Sequence, residues 1–479
     1  MKLLLFSIFF CCFLSALYAQ PTAVMSEEFS VRNDNGYEIL GKIKGKVLLF
    51  RDKKSSFEVA AFDEGMKTLW QKELLLHGKN IQILSAIGSK SGFYIIYKAR
   101  QKRGQFAIRA YRFDENAALK DTVVVRDFGN AERSMAGVQL FRSEDKNLIL
   151  LMNDETQEQN AKMLTVFRLD SLQIVWQKKF VVSSDFFENN KHHTLLTNAG
   201  KALIIFERDN EAKQIAEHRF EVITFDAFST QQPPHILPIK TVLTADVRFA
   251  FDNLHQYLVA GGLTTDKNKE RSMGYYFLSV PIADWSQITF ATKPFDAALA
   301  GLVEGKEVKE NKGIENLNVT TLAMRKDGGT LLVFEKIRHE ERRINNPRTL
   351  QDRGATYIIF DHFYDNLLLI SLHPDGNAHW KTVLNKKQYS QDDDGAFSSY
   401  FLLKNQTGLH FMFNDDIKDN NMASEYLIDA NGAFDHNSLL NTKGKRLLLR
   451  FKDALQTAAN EVIIPSEYGY KLSLLQLRL

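Results

Sequence analysis

TVFRLDSLQIVWQKKF, residues 165–180, is the stretch on which the reading of the fold turns. An apolar run ends at Asp170, a short turn follows, and a second run opens near Trp176. Short apolar and aromatic runs bounded by turn formers read as strands. The same phrase returns as VAAFDEGMKTLWQKEL (59–74) with Asp63 and Trp70, and as LISLHPDGNAHWKTVL (369–384) with Asp375 and Trp380. It returns again as EYLIDANGAFDHNSLL (425–440), where Asp429 is followed by Phe434 in the aromatic place. Weaker copies carry Asp114, Asp226 and Asp284. All four tryptophans, Trp70, Trp176, Trp285 and Trp380, fall inside a copy, so the phrase marks a structural repeat.

The seven Asp positions are separated by 51, 56, 56, 58, 91 and 54 residues. Four strands with their turns occupy about 40–50 residues, the size of one propeller blade. Between the copies lie further apolar runs, among them KVLLF (46–50), GFYIIY (92–97), ALIIFE (202–207) and TLLVFE (330–335). The pattern predicts an all-β chain and a single β-propeller spanning residues 20–479, with eight four-stranded blades favoured. Seven blades fit if the copy at Asp284 forms no sheet of its own. In this scheme the Asp caps the turn between third and fourth strands, and the aromatic packs between neighbouring sheets.

An eighth Asp falls due just past Leu479, so the last unit holds three strands. Pairing SEEFSVR (26–32) with that unit closes the ring and removes an exposed sheet edge. The 91-residue interval holds two insertions, 293–317 and 337–353. DAALAGLVEG within the first predicts a short helix; IRHEERRINNPRTLQDR, the second, reads as a loop.

LDSLQIVWQKKF and HPDGNAHWKTVL resemble the tryptophan-bearing strand pair of quinoprotein-type (PQQ-like) repeats, with the turn glycine of that family at Gly65, Gly376 and Gly432. The resemblance implies an eight-bladed propeller and no cofactor, since quinone-binding members use a vicinal disulfide. The region 363–421 is also similar to exported proteins of Bacteroidota with uncharacterised function.

Both cysteines, Cys11 and Cys12, lie in the first 19 residues, where Lys2, an apolar run from Leu3 to Leu17 and small residues Ala16 and Ala19 read as a signal peptide. Cleavage after Ala19 leaves a chain without thiol, disulfide or zinc-thiolate chemistry. The expected location is exported, in the periplasm or at the outer membrane, and nothing after residue 20 reads as a membrane-spanning helix. With 61 Lys plus Arg against 58 Asp plus Glu, no global field draws the chain to nucleic acid. A monomer is expected.

No GxSxG, Walker or GxGxxG motif anchors a catalytic site. The loops between second and third strands carry the charge instead. Unit two has Arg100 and Arg103, and unit six has Arg338, Arg342 and Arg343; unit three has Asp154 and Glu155. Units two and six lie opposite each other in an eight-membered ring, so crossed basic and acidic sectors are expected on one face. Solvated loop charge is the plainer reading; arginine forks gripping a carboxylated glycan or an acidic partner is the functional one. Asp415, Asp416 and Asp419, with Asp392, Asp393 and Asp394 upstream, are the oxygen-rich residues that calcium takes. Their spacing departs from the EF-hand loop, which leaves a polar turn as the other reading. His362, His373 and His379 stand closest to a histidine cluster, but without a zinc-motif spacing.

The expectation is therefore an exported, non-enzymatic propeller that serves as a binding or assembly scaffold in the cell envelope, with an envelope protein or glycan as partner. The alternative is a glycan-active enzyme with paired carboxylates at the channel mouth. If residues 1–19 are a cleaved leader, amino-terminal sequencing of the exported protein begins at Gln20; a sequence beginning at Met1 overturns that assignment.

Overall fold

The computed structural model describes residues 21–101, 105–129, 137–154, 161–181, 192–228, 233–345, 356–415, 417, 422–445 and 447–479. The leader expected at 1–19 therefore lies outside the described residues. The strands form eight antiparallel four-stranded sheets in a ring, an eight-bladed β-propeller. Blades one to seven span 34–74, 79–127, 139–181, 192–238, 243–294, 317–384 and 401–441. The copy at Asp284 belongs to its own sheet, which decides eight blades over seven.

Blade eight takes Leu455–Ala458, Glu461–Tyr468 and Lys471–Arg478 from the carboxyl end and its outermost strand, Thr22–Met25, from the amino end. The register runs from Thr22 opposite Arg478 to Met25 opposite Leu475. Of the segment 26–32 expected to close the ring, only Phe29–Ser30 is strand, against Leu472 and Lys471. The longer contact lies just upstream. Ser26 bridges the interruption: its N–H donates to the Leu474 carbonyl at 2.9 Å, and its Oγ accepts from the Leu474 N–H at 2.9 Å.

The apolar runs are continuous, and the packing explains why. In Ala202–Arg208, Ala202, Ile204 and Phe206 pack toward blade three, whereas Leu203 and Ile205 pack toward blade five. Leu148, Leu150 and Met152 likewise face blade four while Ile149 and Leu151 face blade two. Side chains alternate across a strand, so a sheet covered on both faces needs apolar residues at both parities. Eight apolar clusters result, one at each junction between neighbouring blades.

The repeat phrase forms the turn between third and fourth strands. Asp63 accepts from the Gly65 and Lys67 amides at 2.9 Å, Asp114 from Asn116 and Ala118 at 2.9 Å, and Asp429 from Asn431 and Ala433 at 2.8 and 2.9 Å. Three copies differ in register; in blade five Asp284 stands three residues past the strand end at Pro281 and accepts from the Ser286 amide at 3.0 Å. In blade six the turn closes at His373, whose amide donates to Asn377, and Asp375 sits two residues inside it, accepting from the Asn377 N–H at 2.9 Å. In blade three the turn closes at Arg168 and is one residue longer; the Asp170 carbonyl there accepts from Arg112 of blade two. An aspartate early in a turn can accept from an amide two residues on wherever the hairpin closes, so the residue recurs while its place shifts.

The tryptophans join blades. Trp176 Nε1 donates to the Gly200 carbonyl of blade four at 2.8 Å, and Trp380 Nε1 to Ala430 of blade seven at 3.0 Å. Gly432, at φ +84°, lies against the Trp380 ring so closely that a Cβ would stand 2.6 Å from it. Trp285 instead stacks on His235 of the preceding blade, with centroids 4.2 Å apart. Trp70 packs in the cluster between blades one and two. Trp176→Ala is expected to lower the unfolding free energy by roughly 3–5 kcal/mol, and Trp176→Phe by about 1 kcal/mol through the lost hydrogen bond; urea unfolding measures both.

Candidate functional site

Antiparallel order sends two sets of connections to opposite faces of the ring. Turns between first and second strands, and the Asp-bearing turns, share one face; second-to-third-strand loops and the links between blades share the other. The long insertions all emerge on the second face.

The first insertion begins with the last residues of strand Thr289–Pro294 and continues into helix α1, Ala297–Glu304, as its composition predicts. Asp296 caps the helix by accepting from the Leu299 amide at 2.7 Å, and Gly305 ends it at φ +67°. Ile314–Glu315 then pairs with Arg271 and Ser272 on blade five. The second insertion corrects its reading as a loop. Residues 337–345 continue strand Thr330–Asn345, which pairs through to Thr356–Leu372, so blade six extends as a two-stranded arm. At its base Gln388–Gln391 adds a third strand opposite Asp361–Tyr364.

On the arm the expected basic sector is charge-paired. Arg342 forms a fork with Asp361, Arg338 pairs with Glu340 and lies 4.0 Å above the Phe363 ring, and Arg343 bonds Glu341 at 3.2 Å. Asp361 also accepts from the Tyr389 hydroxyl at 2.7 Å and Gln391 Nε2 at 3.2 Å. The Arg342 guanidinium, with these donors, holds the Asp361 carboxyl well below the usual carboxylate range. In blade two, Arg100 ends strand Gly92–Arg100 with its guanidinium 5.9 Å from the Phe106 ring centroid, while Arg103 lies outside the described residues. Asp154 pairs with Lys162 across its own hairpin, and Glu155 lies outside the described residues.

Asp415 accepts from Ser424 Oγ at 2.5 Å; Asp416 and Asp419 lie outside the described residues. Asp392 and Asp393 act as turn acceptors, from the Phe360 amide and from Ser390 Oγ and the Gly395 amide. Strand Thr356–Leu372 separates the histidines: His362 stands on the arm, where its Nδ1 lies 2.8 Å from His339 Nδ1, while His373 and His379 meet on the opposite face.

Below the arm lies a polar core that the sequence reading does not name. Lys386 and Glu335 are fully buried and paired at 2.8 Å. The Lys386 ammonium also donates to the Tyr364 carbonyl at 2.9 Å and Gln388 Oε1 at 2.8 Å, and Ser399 Oγ donates to Glu335 at 2.5 Å. Gln388 Nε2 reaches the Asn414 carbonyl at 2.7 Å, which ties the link between blades six and seven to blade seven. Burial pushes the Lys386 ammonium down, opposed by Glu335. These contacts join blade six to the link that follows it, so the group acts as a pin.

Toward the axis, Lys452 donates to the Tyr364 hydroxyl at 3.1 Å and the Gly395 carbonyl at 2.9 Å. It opens a cleft of about 430 Å³ between blades eight and one, lined by Asn35, Tyr37, Glu38, Arg450, Lys452 and Asp453. Arg450 bonds Asp453 and Glu467 at 2.6 and 2.7 Å and stands 5.6 Å from the Tyr37 centroid. Burial raises the Glu38 carboxyl, the Arg142 charge opposes that, and Asp453 adds to it. Glu38 and Asp453 are thus two carboxylates of one cleft, each within the other's field. The sequence signal for Glu38 is faint: it is a charged residue in the first strand of a blade, YEILGKI.

The fold and cleft define an eight-bladed β-propeller with an elaborated channel mouth. No known family profile matches the chain, and no curated protein matches it. Solved structures similar to it include a prolyl endopeptidase (8% identity, TM-score 0.41, 92% of this chain and 55% of that one). BamB from Moraxella catarrhalis is another (10%, 0.38, 95% and 100%), as is a protein of unknown function from Bacteroides caccae (11%, 0.29, 73% and 93%). The chain spans about half the length of the prolyl endopeptidase it matches.

The Asp361 fork yields a pH dependence. A carboxyl depressed in the folded state stabilises fully above its unfolded value, about 3.9, and loses that contribution as pH falls toward its folded value. The stability gap between wild type and Asp361→Asn is therefore expected to be constant from pH 5 to 8 and to shrink below about pH 4; chemical unfolding across pH checks it.

Proposed function

We propose that this chain is an exported β-propeller that binds a partner in the cell envelope, as a non-enzymatic scaffold, through the face carrying the arm. The arm is the observation that supports this reading. A hairpin carried beyond its blade adds nothing to the ring's junctions, yet its base is braced by a third strand, an arginine–carboxylate fork and the buried Lys386–Glu335 pin. Ile358 and Phe360 on it are about half exposed, and Leu302 on helix α1 and Tyr468 and Tyr470 at the blade-eight hairpin are exposed on the same face. Charged edges with scattered apolar side chains suit a polar-rimmed interface. Among the described residues no helix is long and apolar enough to cross a membrane, and export rests on the leader sequence. The partner is taken to be an envelope protein or glycan; a monomeric ring and calcium at Asp415, Asp416 and Asp419 stay within the same proposal.

A second reading, a glycan-active enzyme, draws on Glu38 and Asp453 sharing one cleft. Glycosidases place two carboxylates about 5–10 Å apart, one with a raised pKa. The two readings separate in one experiment. Protein with residues 338–363 replaced by a two-residue turn is expected to keep its fold but lose retention of envelope components on an affinity column, while Glu38→Gln leaves retention intact. Hydrolysis of envelope glycans by wild type that Glu38→Gln abolishes would favour the enzyme.

A further inference from the structure

The two faces of the arm are held near its base by different chemistry. Side chains alternate along each strand, so Arg338, Glu340 and Arg342 share one face with Asp361 and Phe363, while His339, Glu341 and Arg343 share the other with Ile358, Phe360, His362 and Tyr364. The first face carries the Arg342–Asp361 fork, with Tyr389 and Gln391. The second carries a pair of imidazoles. His339 and His362 stand opposite each other in the register, their rings at 72° and their Nδ1 atoms 2.8 Å apart. His339 is exposed, whereas His362 is 6% exposed and its Nε2 is buried with no hydrogen-bond partner among the described residues.

Two Nδ1 atoms at that distance share one proton, so one ring donates and the other accepts. The buried Nε2 decides the direction. A proton there would be an N–H buried without an acceptor, so His362 carries its proton on Nδ1 and donates to the bare Nδ1 of His339. A proton taken up at His339 Nδ1 then sets two N–H groups against each other. Moving His362 to its other tautomer restores the bond only by burying an unmet N–H, so either route weakens the contact.

At the base stand Tyr364, its ring 5.8 Å from that of His339, and Lys452 of blade eight, 4.3 Å from the Tyr364 centroid. Lys452 in turn lies in the fields of Glu335, Asp393, Asp453 and Arg450. Ser390 is opposite His362 on the third strand and bonds Asp393 at 2.7 Å, and Asp394 follows in the same turn. Outward along the arm, Glu341 and Arg343 bond each other at 3.2 Å. Of these groups the imidazoles have the ordinary value, about 6.5, that falls between pH 5 and 7.5. Burial, the His362 ring and the Lys452 charge hold the His339 imidazole below that value. A base depressed in the closed arm gives its full stabilisation above about pH 6.5 and loses it as pH falls through the open-arm value. The fork on the other face keeps its contribution down to about pH 4, so the two faces respond in separate windows.

We propose that the His339–His362 bond is a pH-sensitive lock on the arm: it holds the hairpin to its base at neutral pH and releases it on acidification, which weakens partner binding by this face. The half-exposed Ile358 and Phe360 lie just beyond the lock on the same face, so its release frees the apolar part of that surface. This is regulation of the binding surface proposed above, and rests on that reading.

Amide hydrogen exchange at pH 7.5 and 5.5, corrected for its intrinsic pH dependence, reads the lock in the wild-type protein. Exchange in 338–343 and 358–363 is expected to quicken about fivefold or more at pH 5.5, the effect of losing one hydrogen bond. His339→Gln, at an exposed position, takes up no proton and is expected to change by less than about twofold. Nitrogen NMR of the wild-type imidazoles is expected to place the His339 titration below about 6.5, at the midpoint of the exchange change. Exchange that does not quicken, an equal response in His339→Gln, or a His339 titration at or above the ordinary value overturns the proposal. If His339→Gln does not fold, coincident titration and exchange midpoints in wild type support the lock, and separate midpoints overturn it. The envelope affinity column keeps the two ideas apart. Retention that falls at pH 5.5 in wild type but not in His339→Gln supports the regulation, and equal retention at both pH values overturns it. Absence of retention at either pH fails the scaffold reading, while exchange still decides the lock.

Discussion

A four-stranded sheet with two apolar faces cannot exist alone in water, and every other feature of this protein follows from how that is resolved. Each blade buries one face on the blade before it and the other on the blade after, through eight junctions. The arrangement is complete only as a ring. Thr22–Met25 supplies the last strand, so blade eight combines an amino-terminal strand with three carboxyl-terminal ones by pairing, while packing forms its junction with blade one. After residue 20 no cysteine is available to do this covalently, and hydrogen-bonded strand closure takes that role.

Because the junctions fix the innermost strands, charges placed on them are held rather than free to seek partners. Glu38, Arg142 and Lys404 lie on three such strands, each at a solvent-exposed position. The buried Lys386–Glu335 pair is the opposite case. It carries desolvated charge inside the fold, held by the ion pair itself and by bonds from Lys386 to the Tyr364 carbonyl and from Ser399 to Glu335, and so braces the base of the arm.

Much of the fold is legible along the chain because its causes are local. Asp63, Asp114 and Asp429 cap turns through amides two and four residues away, and Trp176 and Trp380 each join their blade to the next by an indole hydrogen bond. Register is less legible. Asp375 sits two residues inside its turn and Asp170 in a turn one residue longer, which a one-dimensional spacing does not reveal. The arm was hidden for a related reason: RHEERR carries polar residues at both parities, as a strand does when neither of its faces is buried in a core, and such a strand resembles a loop in sequence.

The sequence by itself determined an all-β ring of repeated four-strand units, its closure by the amino end, and the short helix in the first insertion. These are set by period, turn chemistry and apolar runs, which act over a few residues. Only the tertiary structure decided which charges meet. Arg342 is cancelled by Asp361 across one hairpin, whereas Glu38 and Asp453, more than four hundred residues apart in the chain, line one cleft between blades eight and one. A charge's role depends on what surrounds it in space, and a closed ring brings together residues that no local pattern relates.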